Sequence, residues 1–290
     1  MQIVPLGPGF AAELRGIGLA DVAERAEIYA AVRAAFEQYS VLLFRNQAVT
    51  DDLQVAFSRC FGPLEHTKVG SLGAGSYFAI LTNLDAGGNV VPADHRQALV
   101  AKANQLWHTD SSFKAVPALA SVLSARIVPD TGGETEFAST RLAWQRLPAE
   151  LQARLVDAYA WHDYAHSRGK IAPHLATAVE QKALPPVRWR MAWLNPVNHC
   201  RSLYVASHAY AIDGMTMAAA QALLAELIDR ATGPEVTYLH RWRAGDVIMW
   251  DNRAVLHRGR PWPDHLARRM IRTTISAGDA DGLASVRPAA

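Results

Sequence analysis

The sequence predicts an α+β protein built on a double-stranded β-helix, a jelly-roll or cupin-like core, flanked by helices. Short strand-like runs recur along the chain and crowd between residues 236 and 276. Glycine-bearing turns separate these runs, and alanine-rich stretches with helical spacing frame them. Half of the 290 residues are hydrophobic, enough for a substantial core, and the whole of 1–290 reads as one domain.

The elements follow in chain order. Residues 21–39, DVAERAEIYAAVRAAFEQY, predict a helix with Asp21 at its start, and VLLFR at 41–45 a short buried strand. TDDLQVAFSRCFG predicts a second helix, capped by Thr50 or Asp51 and stopped at Gly62. SYFAILTNLDAGGN reads as a strand entering a glycine turn, after which 85–104 is irregular and polar. ALASVLSARIVP is apolar enough for a central strand, PDTGG is a turn at Gly132 and Gly133, and ETEFAST is a further strand. Residues 139–161 predict one or two helices broken at Pro148.

The stretch 162–190 carries Arg168, Lys170, Lys182, Arg188 and Arg190 with weak periodicity, and reads as a long loop or lid. With 64–104 it makes up the two insert segments expected beside the core. TMAAAQALLAELIDRAT is a helix, and VTYLHRW, DVIMW, AVLHRG and RRMIRTTIS are strands with a tight DNR turn among them. ADGLASVRPAA reads as a loose tail.

Composition narrows the function. Net charge is +2 with interspersed signs, so no basic stripe tracks nucleic acid. No run approaches the roughly 18 apolar residues of a membrane span, and Cys60 and Cys200 read as reduced thiols. A soluble cytoplasmic protein acting on a small molecule is expected, with a homo-oligomer left open.

NQLWHTDSSF places His108 and Asp110 two positions apart, on one side of an extended segment. His257, on a strand after the DNR turn, is the best third ligand among 11 histidines. The others lack a partner at useful spacing or fall in the suspected lid; His66 is the one to watch among them. Two histidines and a carboxylate leave three positions open on a divalent ion, as in non-haem Fe(II) oxygenases, although the same set also suits zinc. Trp107, Phe113 and Trp250 read equally as pocket walls or as core.

WHTDSSF, TGGETEF, WRAGDVIMWDNRAVLHRGRPW and ARRMIRTTIS, in this order and spacing, resemble the taurine dioxygenase superfamily of Fe(II)- and 2-oxoglutarate-dependent enzymes. The stretch from SYFAILTNLDAGGN to LWHTDSSF is most similar to the 2,4-dichlorophenoxyacetate dioxygenase branch, and IVPLGPGFAAELRGIGLAD resembles the superfamily's N-terminal strands. The resemblance runs from about residue 3 to 276. It implies that His108, Asp110 and His257 bind Fe(II), with 2-oxoglutarate as cosubstrate and O2 as oxidant. Arg268, eleven positions after His257, and Thr135, twenty-five after Asp110, then hold the far carboxylate of 2-oxoglutarate. Arginine suits that task because its planar fork binds a carboxylate at two points. Arg272 is implied as a cosubstrate or substrate partner, and Asn104 as a cosubstrate-site residue. Strand alternation puts Arg268 and Arg272 on one face and Arg269 on the other.

The family's sulfonate-binding histidine falls at Thr67, leaving His66 or Lys68 to contact a substrate anion. The implied reaction hydroxylates a small anionic molecule with release of succinate and CO2. An ether carbon hydroxylated in this way collapses, so an aryloxyalkanoate would yield a phenol and an oxo acid. Alternatives are the same chemistry on an alkylsulfonate or a secondary-metabolite intermediate, a zinc hydrolase, and a non-catalytic cupin-like binding protein.

Overall fold

The apolar runs become strands buried on both faces. The computed structural model describes residues 1–288. Its strands, in chain order, are β1 (Gln2–Pro5), β2 (Ala12–Arg15), β3 (Val41–Phe44), β4 (Ala79–Thr82), β5 (Ala118–Ile127), β6 (Thr135–Ser139), β7 (Tyr159–His162) and β8 (Val187–Arg190). There follow β9 (Ala192–Leu194), β10 (Arg201–Leu203), β11 (Ala209–Ile212), β12 (Thr237–His240), β13 (Val247–Asp251), β14 (Val255–Gly259) and β15 (Arg269–Ser276).

A seven-stranded sheet has the order β1-β2-β3-β13-β5-β15-β4, and a three-stranded sheet has the order β12-β6-β14. Side-chain alternation divides the large sheet's residues between two cores. Leu42, Phe44, Val122, Val247 and Met249 pack outward with Val32, Phe36 and Phe57 of the helices Ala26–Tyr39 and Asp51–Arg59. Val41, Leu43, Leu123, Ile248, Trp250 and Met270 point inward and meet Phe137 and Val255 of the small sheet. Ala138 and Leu256, on that sheet's other face, are covered by Leu224 and Leu227 of the helix Met217–Ala231. The result is a mixed α/β architecture with both sheets covered by helices.

Several predicted elements change. Arg25 is extended (φ −125°, ψ 108°) and splits the first helix into Leu19–Glu24 and Ala26–Tyr39. Asp21 is inside the first of these, accepting the Gly18 N–H at 2.8 Å, and is not its cap. Thr50 does cap the next helix, its side chain accepting from the Leu53 N–H at 3.1 Å. The irregular stretch 85–104 contains the helix Arg96–Ala103, which its sparse apolar pattern hid.

The supposed loop 162–190 is ordered as the helices Tyr164–Gly169 and Ala178–Ala183 followed by β8. Side-chain caps supply what periodicity does not: Asp163 accepts from the N–H groups of Ala165 and His166, and Thr177 and Glu180 cap each other's backbone. The loose tail is also corrected. Leu283–Val286 is a helical turn whose Leu283 and Val286 are buried in the outer core, while Ala289 and Ala290 lie outside the described residues. No helix among the described residues is long and apolar enough to cross a membrane.

Candidate active site

After the helix Arg96–Ala103 the chain runs alongside β14. His108 and His257 exchange both backbone hydrogen bonds, at 3.0 and 2.8 Å, and the Gly259 N–H donates to the Asn104 carbonyl at 2.9 Å. This pairing brings two imidazoles separated by 149 positions to a ring distance of 4.1 Å. Asn252, in the turn after β13, then sets Asp110. Its Oδ1 accepts the Asp110 N–H at 3.1 Å and its carbonyl accepts the Thr109 hydroxyl at 2.7 Å. Its amide donates to Ser121 Oγ at 3.0 Å, and that hydroxyl donates to Asp110 Oδ2 at 2.7 Å.

His108, Asp110 and His257 are all buried, and one ligand atom from each lies within 4.8 Å of the others. His108 Nδ1 is 2.7 Å from the Leu106 carbonyl, which assigns the proton to Nδ1 and leaves the Nε2 lone pair free. Burial holds the His108 imidazole below its ordinary pKa, and burial followed by the neighbouring His108 holds His257 well below it. Burial works to raise Asp110, but the Arg272 guanidinium, the two imidazoles and the Ser121 hydroxyl outweigh it and keep the carboxyl well below the usual range. Two neutral imidazoles and one carboxylate fit a divalent ion bound on one face.

The triad opens into a cavity of about 480 Å³. Arg268 lines it, buried, just before β15; its guanidinium donates to the Gly133 carbonyl at 3.3 Å and stacks on Trp262 at 5.1 Å. No carboxylate among the described residues pairs with it. Burial pulls its pKa down to about 10, so it remains a cation at neutral pH. The Gly132–Gly133 turn makes room for this wall. Both glycines have positive φ (+74° and +70°), and a Cβ on Gly132 would be 2.7 Å from the Pro261 carbonyl. Thr135, on β6, faces the same cavity, its hydroxyl accepting from Trp242 Nε1 at 2.9 Å.

Asn104 and Arg272 also line the cavity, and Arg269 is exposed, as strand alternation requires. Arg272, however, is bonded to Asp110 Oδ1, with its Nε buried and unpartnered. Lys68 reaches the cavity, but its ammonium is 2.7 Å from Glu180 Oε1. His66 is not brought to the site: it is exposed and lies against Tyr77 at a ring distance of 4.7 Å. Phe113 and Trp250 are both core and cavity wall, whereas Trp107 packs under Arg258. Arg168 and His208 line the cavity without having been singled out, because neither has a partner at short sequence spacing.

The pattern of the taurine catabolism dioxygenase TauD, TfdA family matches residues 2–274. The chain belongs to this family. It is 39% identical over 281 residues to the alpha-ketoglutarate-dependent 2,4-dichlorophenoxyacetate dioxygenase of Cupriavidus pinatubonensis, covering 95% of this chain and 97% of that one. To the (S)-phenoxypropionate/alpha-ketoglutarate-dioxygenase of Sphingobium herbicidovorans it is 34% identical over 287 residues, covering 96% and 95%. The crystal structure of AAD-2 in complex with Mn(II) and N-oxalylglycine superposes with a TM-score of 0.88 at 36% identity, covering 96% of this chain and 98% of that one. Within the TauD, TfdA family, then, the similarity covers nearly the whole of this chain.

Proposed function

We propose that this TauD, TfdA family member is an Fe(II)- and 2-oxoglutarate-dependent dioxygenase that hydroxylates aryloxyalkanoates beside the ether oxygen. One O2 and one 2-oxoglutarate are consumed; one oxygen atom enters succinate, formed with CO2, and the other enters the substrate. The resulting hemiacetal collapses to a phenol and an oxo acid. The observation that carries this reading is an unpaired, buried Arg268 in the same cavity as the His108, Asp110, His257 triad. A zinc hydrolase would leave that cation without a task, and a binding protein would leave the triad without one.

His108, Asp110 and His257 would hold the iron, which supplies O2 activation when bound. Arg268 and Thr135 would hold the far carboxylate of 2-oxoglutarate, with Asn104 on the adjoining wall. Arg272 keeps Asp110 ionised and oriented, which makes it a positioning residue for the metal ligand. Ser121 and Asn252 fix the same carboxylate from behind. Trp250, 4.6 Å from the His257 ring, helps exclude water.

The same reading takes the two facing sheets as a double-stranded β-helix in a single domain, working in the cytoplasm. The segments 64–104 and 162–190 form the substrate side of the cavity. Succinate formation and O2 uptake, with Fe(II) and 2-oxoglutarate, test it across aryloxyacetates, aryloxypropionates, alkylsulfonates and simple carboxylates. Stimulation by aryloxyalkanoates, absent in His108→Ala, is expected. Stimulation by sulfonates alone would replace the substrate class, and no iron-dependent decarboxylation would overturn the reading.

A further inference from the structure

We propose that Arg168 is the specificity-determining residue of the cavity, receiving the carboxylate of the organic substrate. This rests on the dioxygenase reading above and names the group that selects its anionic substrate. Six cationic side chains line the cavity. Lys68 and Arg96 are both bound to Glu180, at 2.7 Å each, and Lys114 to Glu65 at 3.1 Å. Arg272 is bonded to Asp110. Arg268 answers to 2-oxoglutarate, on the wall made by the Gly133 turn and Trp262. Arg168 is the remaining cation, on a different wall.

Arg168 is 8% exposed, has no carboxylate partner among the described residues, and its Nε is buried without a hydrogen bond. Its one side-chain bond among the described residues is a long one, 3.3 Å from Nη1 to Ser167 Oγ. A buried structural arginine in this protein looks different. Arg141, also 8% exposed, donates to the carbonyls of Glu37 and Gln38 at 3.1 and 2.6 Å. Removing a guanidinium from water without an acceptor is unfavourable, so a fold that holds one there needs an anion to complete it.

The group is also preorganised. Arg168 lies over the Tyr164 ring at 4.6 Å, and the other cation on that ring, Lys68 at 4.4 Å, is itself fixed by Glu180. Phe113, 5.1 Å from Tyr164 and 4.7 Å from His208, adds an apolar surface for an aryl ring beside the charge. His208 Nε2 is buried and unpartnered on the same wall, a second polar contact for a carboxylate or ether oxygen.

The test is equilibrium titration of phenoxyacetate, its neutral analogue phenoxyacetamide, and 2-oxoglutarate, followed by tryptophan fluorescence, for the wild-type protein, R168M and R168K. Steady-state KM values accompany the titrations. A charge-assisted hydrogen bond of the usual strength corresponds to about a 10- to 100-fold change. R168M is expected to raise both the Kd and the KM for phenoxyacetate by that factor. Its Kd for 2-oxoglutarate and for phenoxyacetamide should stay within about twofold. R168K, which keeps the charge without the fork, should fall between.

Unchanged phenoxyacetate affinity in R168M and R168K, or an equal loss of 2-oxoglutarate affinity, overturns the assignment. The two readings fail separately. Phenoxyacetate bound through Arg168 but never oxidised overturns the aryloxyalkanoate reaction and supports the anion site. Oxidation with a KM indifferent to both substitutions does the reverse.

Discussion

Two clusters of buried charge meet at the turn Asp251–Asn252–Arg253, and they are built on opposite principles. On one side Arg253, 1% exposed, donates to both oxygens of Asp251 at 2.9 Å, to Glu37 Oε2 at 2.9 Å and to the Asp281 carbonyl at 3.1 Å. Glu37 accepts from Asn195 Nδ2 at 2.6 Å on the same oxygen, and Arg33 forms an ion pair with the other at 2.6 Å. On the other side Asn252 positions Asp110 beside a cavity in which Arg168 and Arg268 have no counter-ion. The first cluster finds its counter-charges within the chain and ties a helix and the C-terminal turn to the large sheet. On the proposed reading, a metal and two small anions complete the second. Burial alone therefore does not mark a functional charge; burial without a partner does.

The largest effect should come from the triad. His257→Ala should lower substrate-stimulated succinate formation by at least about 10³-fold and abolish tight Fe(II) binding, read by calorimetry. Turnover surviving at a tenth of wild type would break the assignment of that ligand.

The contrast between the clusters is sharpened by two matched substitutions. Arg253→Met leaves Asp251 buried and unpaired and takes from Glu37 one of its two arginines, and should cost about 3–5 kcal/mol in urea unfolding. Arg268→Met removes a buried charge that has no partner, so the ligand-free protein should be unchanged within about 1 kcal/mol or become more stable. Its KM for 2-oxoglutarate should instead rise about 10- to 100-fold. Equal destabilisation by the two would erase the distinction between the clusters.

Acid should act through the buried histidines. His162 is fully buried with no hydrogen bond, and burial pushes its pKa down to about 3. The unfolded chain therefore binds the proton more readily than the folded one. Its contribution to stability is complete above pH ~6.5 and is lost as pH falls toward the folded value. At pH 5.5 this group alone should subtract about 1.4 kcal/mol. His162→Leu should remove that part of the slope in urea midpoints compared between pH 7.5 and 5.5; an unaltered slope would assign the acid sensitivity elsewhere.

The smallest expected effect is at Gly133. An alanine Cβ would be 3.2 Å from Arg268 Nε at a φ of +70°. Gly133→Ala should cost about 1 kcal/mol of stability and raise the KM for 2-oxoglutarate a few-fold, both readable against the wild type. A stability loss with no change in KM would uncouple the turn from Arg268.

Much of this site was legible in the chain before folding. His108 and Asp110 are neighbours in one motif, and Val255 and His257 share a strand with clear alternation. Gly132 and Gly133 announce a turn. Arg268 and Arg272 are separated from Arg269 by the period of a strand, and the structure exposes only Arg269 of the three. The two helices in 162–190 and the turn at Leu283 were not legible. Their stability comes from caps and from contacts with distant core residues, which leave little periodicity in the local sequence.

The sequence by itself determined the alternation of the strands, the turn chemistry, and which residue types could bind a metal and a carboxylate. Tertiary structure decided which charges remain unpaired. Lys68 and Arg168 are both cations of the two insert segments, yet among the described residues folding brings Glu180 to the first and no acid to the second. The pairing of a buried charge depends on groups brought together by long-range topology, so only the folded chain distinguishes a structural cation from one that awaits a ligand.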